Sequence, residues 1–144
     1  MRLAIALACS LLLARAAAAA PFTFAAIGDV PYGSTQELAE MAEQVNRQPV
    51  AFTLHVGDIK SGVSRCSDEA FLAVRSLFDR FEKPLIYTPG DNEWTDCHRR
   101  SCGSYDPLER LDKLRSLFFA TRESLGRQKL ALQVQGSDAR RSEE

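Results

Sequence analysis

Histidine is scarce in this chain: two in 144 residues, His55 and His98. Two are too few for a histidine-rich metal centre. Cysteine is also sparse, with four residues and no Cys-x-x-Cys pair, which argues against a structural zinc site. Charge of neither sign dominates, the formal net being -1. Without a basic excess there is no reason to expect nucleic acid or an anionic membrane as partner. Repeats and long charge runs are absent, which excludes solenoids. One long apolar run occurs, at the extreme N-terminus, and no second follows.

That run reads as a targeting segment. Arg2 supplies the positive start, Leu3 to Ala14 the apolar stretch, and Ala16 to Ala20 the small residues a signal peptidase requires, with Pro21 just after. The stretch is too short to span a bilayer comfortably. Residues 1–20 are therefore expected to be a signal peptide, and the protein to be exported to the periplasm or beyond. Removing it leaves sixteen bases against nineteen acids, a net charge of -3. Export implies an oxidising compartment. Cys66, Cys97 and Cys102 then form an odd set in which one bridge can close; Cys97–Cys102 and Cys66–Cys97 are both open.

What remains alternates regularly. Phe22 to Ile27, Phe52 to Val56 and Leu85 to Thr88 are apolar, strand-forming runs. Between them lie helical patterns. Ser34-Thr35-Gln36-Glu37 has the form of a capping box, followed by Leu38, Met41, Ala42 and Val45 at spacings of three and four. Ser67 or Asp68 opens a second helix with Phe71, Val74, Leu77, Phe78 and Phe81 on its apolar face. Asp106-Pro107-Leu108-Glu109 opens a third, with Leu108, Leu111, Leu114, Leu117 and Phe118 as its buried stripe. The order β-α-β-α-β-α predicts an α/β fold with a small, mainly parallel sheet and right-handed crossovers. Helices are expected on both faces, and three strands make a small sheet for that task. Beyond Thr121 the pattern fades: Leu130 to Val134 has the makings of a further strand, and residues 123–144 are expected to be a poorly ordered tail.

Each strand run ends in Gly-Asp: Gly28-Asp29, Gly57-Asp58 and Gly90-Asp91, with successive aspartates spaced 29 and 33 positions apart. In a parallel sheet the carboxyl ends of the strands share one edge, where open α/β folds bind ligands. Three carboxylates gathered there repel one another unless a cation sits between them. The expectation is a metal site built on Asp29, Asp58 and Asp91.

The three Gly-Asp places, with Gly90-Asp91-Asn92-Glu93 at the third, resemble the calcineurin-like metallophosphoesterases, which include the purple acid phosphatases. The resemblance covers about residues 22–121. It implies the first part of a two-sheet sandwich, residues 21–122, with the second half missing. It further implies a phosphoester substrate and two divalent ions drawn from Mn, Fe, Zn and Mg. Asp29 would bind the first metal, Asp58 would bridge the pair, and Asp91 would bind the second. Asn92 would take the catalytic place where the family has a histidine facing the phosphate. In an alternative alignment Asp91 is an insertion and Asn92 the metal ligand. Pro31 stands where the first motif has a histidine, Ser61 where purple acid phosphatases have a tyrosine, and the family's downstream histidines are absent. The chain is accordingly expected to have weak or no turnover, as either a shortened form or a degenerate member of such a family. The rival reading is a non-catalytic exported module that binds metal, phosphate or a protein. Glu93 is expected to orient its neighbours, His55 to be a core residue, and Lys60 to be solvated.

Overall fold

A computed structural model of the chain describes residues 20–133. The expected export segment, apart from Ala20, and residues 134–144 lie outside them.

Three short strands, β1 (Ala25–Ile27), β2 (Thr53–His55) and β3 (Leu85–Tyr87), form one parallel sheet in the order β1-β2-β3. Their register aligns Ala25 with Thr53 and Leu85, and Ile27 with His55 and Tyr87. Helices α1 (Thr35–Asn46), α2 (Asp68–Phe78) and α3 (Pro107–Phe118) complete an α/β architecture. The strands are shorter than the apolar runs that contain them. Phe22, Phe24, Phe52 and Val56 lie beyond the ladder or on its uncovered side.

Caps set the helix starts. The Ser34 hydroxyl accepts from the Gln36 N–H at 3.1 Å. The reciprocal Glu37 arm of a capping box is not among the bonds formed by the described residues; Glu37 N–H instead bonds the Ser34 carbonyl at 3.2 Å. Ser67 caps α2 through the Ala70 N–H. Asp106 caps α3 through the Glu109 N–H at 2.9 Å, with Pro107 at the first helical position, where its missing N–H costs nothing.

The helices line one face of the sheet. Crossovers between parallel neighbours are right-handed as a rule, which puts α1 and α2 on the same side of a β1-β2-β3 sheet. Thr53, His55, Leu85 and Tyr87 are buried on that side. There the ring of Phe78 lies 5.2 Å from His55 and 5.5 Å from Tyr87, and Phe118 lies 5.0 Å from Tyr87. Each fully buried Phe or Leu in this layer contributes about 1.5–3 kcal/mol. The expectation of helices on both faces is corrected. Alternate residues Phe24 and Val56 remain about half exposed on the other side, and Phe24 stacks on Phe52 at 5.2 Å.

Two further differences concern the end of the chain. Leu108, expected in the buried stripe of α3, is exposed, and Arg110 is buried instead. Its guanidinium bonds the Cys66 carbonyl at 2.9 Å and Asp68 at 2.8 Å, and it stacks 4.5 Å over Tyr105. Paired and hydrogen-bonded in this way, the cation tolerates burial. After α3 the chain returns to the sheet earlier than Leu130. Leu125 is buried and exchanges backbone hydrogen bonds with Leu85, and Glu123 bridges Ala131.

Candidate functional site

The carboxyl ends of all three strands open onto one edge. Two of the Gly-Asp corners there share a backbone shape: Asp29 and Asp58 both sit at φ 56°, in the left-handed region. For residues with a Cβ this region costs roughly 1–2 kcal/mol, least for Asp and Asn, and such strain collects at functional sites. Close approach fixes the glycines. A Cβ on Gly57, itself at φ 96°, would lie 2.3 Å from the Gly90 nitrogen, and one on Gly90 would lie 2.0 Å from Asp58 Oδ1. The second and third corners are thus pressed together with only a hydrogen atom's width on each Cα.

Tyr32 brings two of the aspartates together. Its hydroxyl lies 2.5 Å from Asp29 Oδ1 and 3.2 Å from Asp58 Oδ2. Those two oxygens are therefore at most 5.7 Å apart, the sum of the two distances. Asn92 Nδ2 donates to the same phenol oxygen at 3.2 Å, and the Asn92 backbone N–H approaches Asp58 Oδ1 at 3.4 Å. Four side chains from three loops meet at one hydroxyl.

Asp91 does not join them. It is exposed, and its side chain makes no hydrogen bond or ion pair with the described residues. Its carbonyl instead starts a turn, accepting from the N–H groups of Trp94 and Asp96 and from the Thr95 hydroxyl. Counted from the aligned strand residues Ile27, His55 and Tyr87, Asp29 lies two positions on, Asp58 three and Asn92 five, so the third corner is the longest. Of the three expected aspartates, Asp29 and Asp58 share the Tyr32 hydroxyl with the Asn92 amide, and Asp91 stands apart. Among the described residues no three Asp, Glu, His or Cys side chains form a metal-holding group.

Electrostatics follow from this crowding. Burial pushes the Asp58 carboxyl above the usual aspartate range, and the charges of Asp91 and Asp29 push the same way. The Asn92 N–H and the Tyr32 hydroxyl oppose them. The Tyr32 phenol is raised far above its ordinary value, first by its bond to Asp29 and then by burial and the charge of Asp58.

Glu93 is fully buried and clamps the edge from below. Its Oε1 accepts from the Asp58 N–H at 3.1 Å, the Gly90 N–H at 2.8 Å and the Tyr87 hydroxyl at 2.8 Å. Burial raises its carboxyl above the ordinary glutamate value. Lys60, expected to be solvated, is buried instead. Its ammonium donates to the Asn92 carbonyl at 2.7 Å and the Ser61 carbonyl at 2.8 Å. The Cys66–Cys97 disulfide places both sulfurs beside the Asn92 carbonyl, at 3.7 and 3.8 Å. Asn92 is thereby held at its N–H, its carbonyl and its amide.

Both histidines are committed elsewhere. His55 is buried, accepting at Nδ1 from the Gly57 N–H at 3.2 Å and lying 3.0 Å from the Val30 carbonyl through Nε2. That pattern requires a neutral ring with its proton on Nε2. His98 is exposed and lies 2.6 Å from the Thr95 carbonyl.

Sequence reasoning leaves Tyr32 open between pocket wall and ordinary loop packing, and expects Lys60 to be solvated. Tyr32 follows Asp29 by three positions in a loop, where no periodicity tells a side chain's direction. Its spacing from Asp29 is the one signal that could have marked it.

No protein-family model matches the chain, and neither the curated proteins nor the solved structures provide a match.

Proposed function

We propose that this chain carries part of the centre of an exported, metal-dependent phosphoester hydrolase of calcineurin-like type. The observation that carries the reading is the meeting of Asp29, Asp58 and Asn92 on the Tyr32 hydroxyl. The donors are hard oxygens, the chemistry that suits Mg or Mn, with Fe and Zn also accommodated by carboxylates. Asp29 and Asp58 would hold the cation as carboxylate ligands. Asn92 would offer its amide oxygen, since a half-turn about its terminal torsion exchanges Oδ1 and Nδ2 at the same place. A bound divalent pair would polarise a phosphoryl oxygen and supply hydroxide at neutral pH.

The chain's own residues perform the positioning. The left-handed corners at Asp29 and Asp58 aim two carboxylates across one gap. Glu93 and Lys60 fix the backbone between them, so little reorganisation is needed when charge develops. Asp91, exposed beside the gap, adds negative potential that attracts cations. Asn92 can donate a hydrogen bond to a phosphate oxygen but cannot deliver a proton to a leaving group. With two carboxylates and an amide in place of a full ligand set, the 144-residue chain is expected to bind metal weakly and turn over slowly or not at all.

A second reading, a non-catalytic binding module, is favoured by the histidines: neither ring reaches Asn92 to serve as a general acid. Metal titration followed by a phosphatase assay separates the two. Mn or Mg at a hundredfold excess over its Kd should stabilise the chain by about 2.7 kcal/mol. Asp58→Asn should abolish that gain. Turnover that Asp58→Asn removes selects the hydrolase over the module, and no stabilisation by Mg, Mn, Zn or Fe overturns the metal site in either reading.

A further inference from the structure

Three cysteines crowd the corner where the loops after β2 and β3 meet. Cys66 and Cys97 are bonded, with their Cα atoms 5.8 Å apart. Cys102 is a buried free thiol. Its carbonyl accepts from the Cys66 N–H at 2.9 Å. Standard peptide dimensions then limit the separation of those two Cα atoms to about 6.8 Å. That limit falls at the upper end of the range disulfides span, so Cys66 has two partners within bridging reach. Cys102 Sγ lies 3.2 Å from the Gly62 carbonyl, on the loop that leads to Cys66.

We infer that these residues form an intramolecular exchange set, in which the bridge on Cys66 passes between Cys97 and Cys102. The Cys102 thiolate attacks Cys66 Sγ. The bond from Cys102 to Cys66 forms as the bond from Cys66 to Cys97 breaks. The bonding pair leaves on Cys97, which takes up the proton that Cys102 released. One disulfide and one thiol stand on each side, so no oxidant or reductant is consumed. The closed loops differ by five residues in more than thirty, so closure entropy barely distinguishes the isomers and local packing sets their ratio.

The two isomers tether different segments. With Cys97 bonded, the short 3₁₀ turn Thr95–His98 is pinned beside Asn92. With Cys102 bonded, that turn loses its covalent tether and keeps its hydrogen bonds, among them Cys97 N–H to the Trp94 carbonyl and Tyr105 N–H to the Cys97 carbonyl. Exchange therefore sets how firmly the segment carrying Asn92 is held. The inference stands on the cysteine geometry alone and is independent of the hydrolase reading.

The test uses the full oxidised chain. It is incubated without reductant, quenched in acid, unfolded in acidic guanidinium and labelled with a maleimide. Peptide mass mapping then assigns the label, keeping Cys9 separate. Exchange predicts label on Cys97 as well as Cys102, the minor site holding at least about a tenth of the total, a roughly tenfold bias. Label on Cys102 and never on Cys97, at every incubation time, overturns it. In Cys97→Ser, a glutathione buffer that closes the wild-type bridge should close Cys66–Cys102. Two persisting thiols in the folded variant would also overturn it, and should the variant not fold, the wild-type mapping decides.

Discussion

Replacing Glu93 tests how the site edge is held. Its Oε1 is the acceptor for the Asp58 N–H, the Gly90 N–H and the Tyr87 hydroxyl, and the residue is fully buried. Glu93→Ala removes that acceptor from three donors at once. A buried orphan donor costs about 1–3 kcal/mol, and the cavity adds to this. Relief of the buried carboxyl's own desolvation offsets part, leaving a net loss of about 4 kcal/mol. That is a large share of the roughly 5–15 kcal/mol that holds a domain together. Glu93→Gln keeps a carbonyl in the Oε1 place. It also puts an amide nitrogen where Oε2 is buried without a partner, so one donor group is orphaned and about 2 kcal/mol is lost. Urea unfolding followed by Trp94 fluorescence and far-ultraviolet dichroism reads the difference. With a slope of about 1–3 kcal/mol per molar, the Ala midpoint should fall by about 2 M and the Gln midpoint by about half as much. Midpoints for Ala and Gln that coincide would refute the idea that one carbonyl-type oxygen clamps both corners.

His55 makes stability depend on pH. Burial holds its ring below the ordinary value of 6.5, and a proton on Nδ1 would face the Gly57 N–H that this nitrogen now accepts. The unfolded chain then binds the proton more readily, so stability is complete above about pH 6.5 and falls as pH drops through the window down to the lowered folded value, by at most about 1.4 kcal/mol per unit. His55→Gln should flatten that slope; identical slopes in the two proteins would show that the ring does not resist protonation. Cys66→Ser removes every bridge Cys66 can form, and the loop of 31 residues predicts a loss of about 3–4 kcal/mol, measured under oxidising conditions. No loss there would mean that the bridge does not constrain the unfolded chain. Gly57→Ala places its methyl against the Gly90 backbone and should cost about 3 kcal/mol or more, whereas Gly33→Ala, with nothing within 4 Å, should be neutral or slightly stabilising. Equal midpoints for the two variants would contradict the close contact of the corners.

Local rules were enough for the elements. Alternating apolar runs and periodic helix faces announced three strands and three helices, and Ser34, Ser67 and Asp106 marked the helix starts, because caps and periodicity act over a turn or less. Leu108 and Arg110 show where that reach ends. A helical stripe tells which residues are apolar, but burial of Arg110 depends on the Cys66 carbonyl, Asp68 and Tyr105, which lie far away in sequence.

The Gly-Asp repeat likewise placed Asp29 and Asp58 at strand ends on one edge from spacing alone. Folding decided the rest. Whether Asp91 or Asn92 enters the gap depends on how far the third corner runs past β3 before it turns in, five positions from Tyr87 to Asn92. The roles of Tyr32, Glu93 and Lys60 depend on partners from two or three loops. Which cysteines bond depends on where the loops after β2 and β3 come to rest. Side-chain direction in a loop follows no period, so only contacts across the closed sheet edge could settle it.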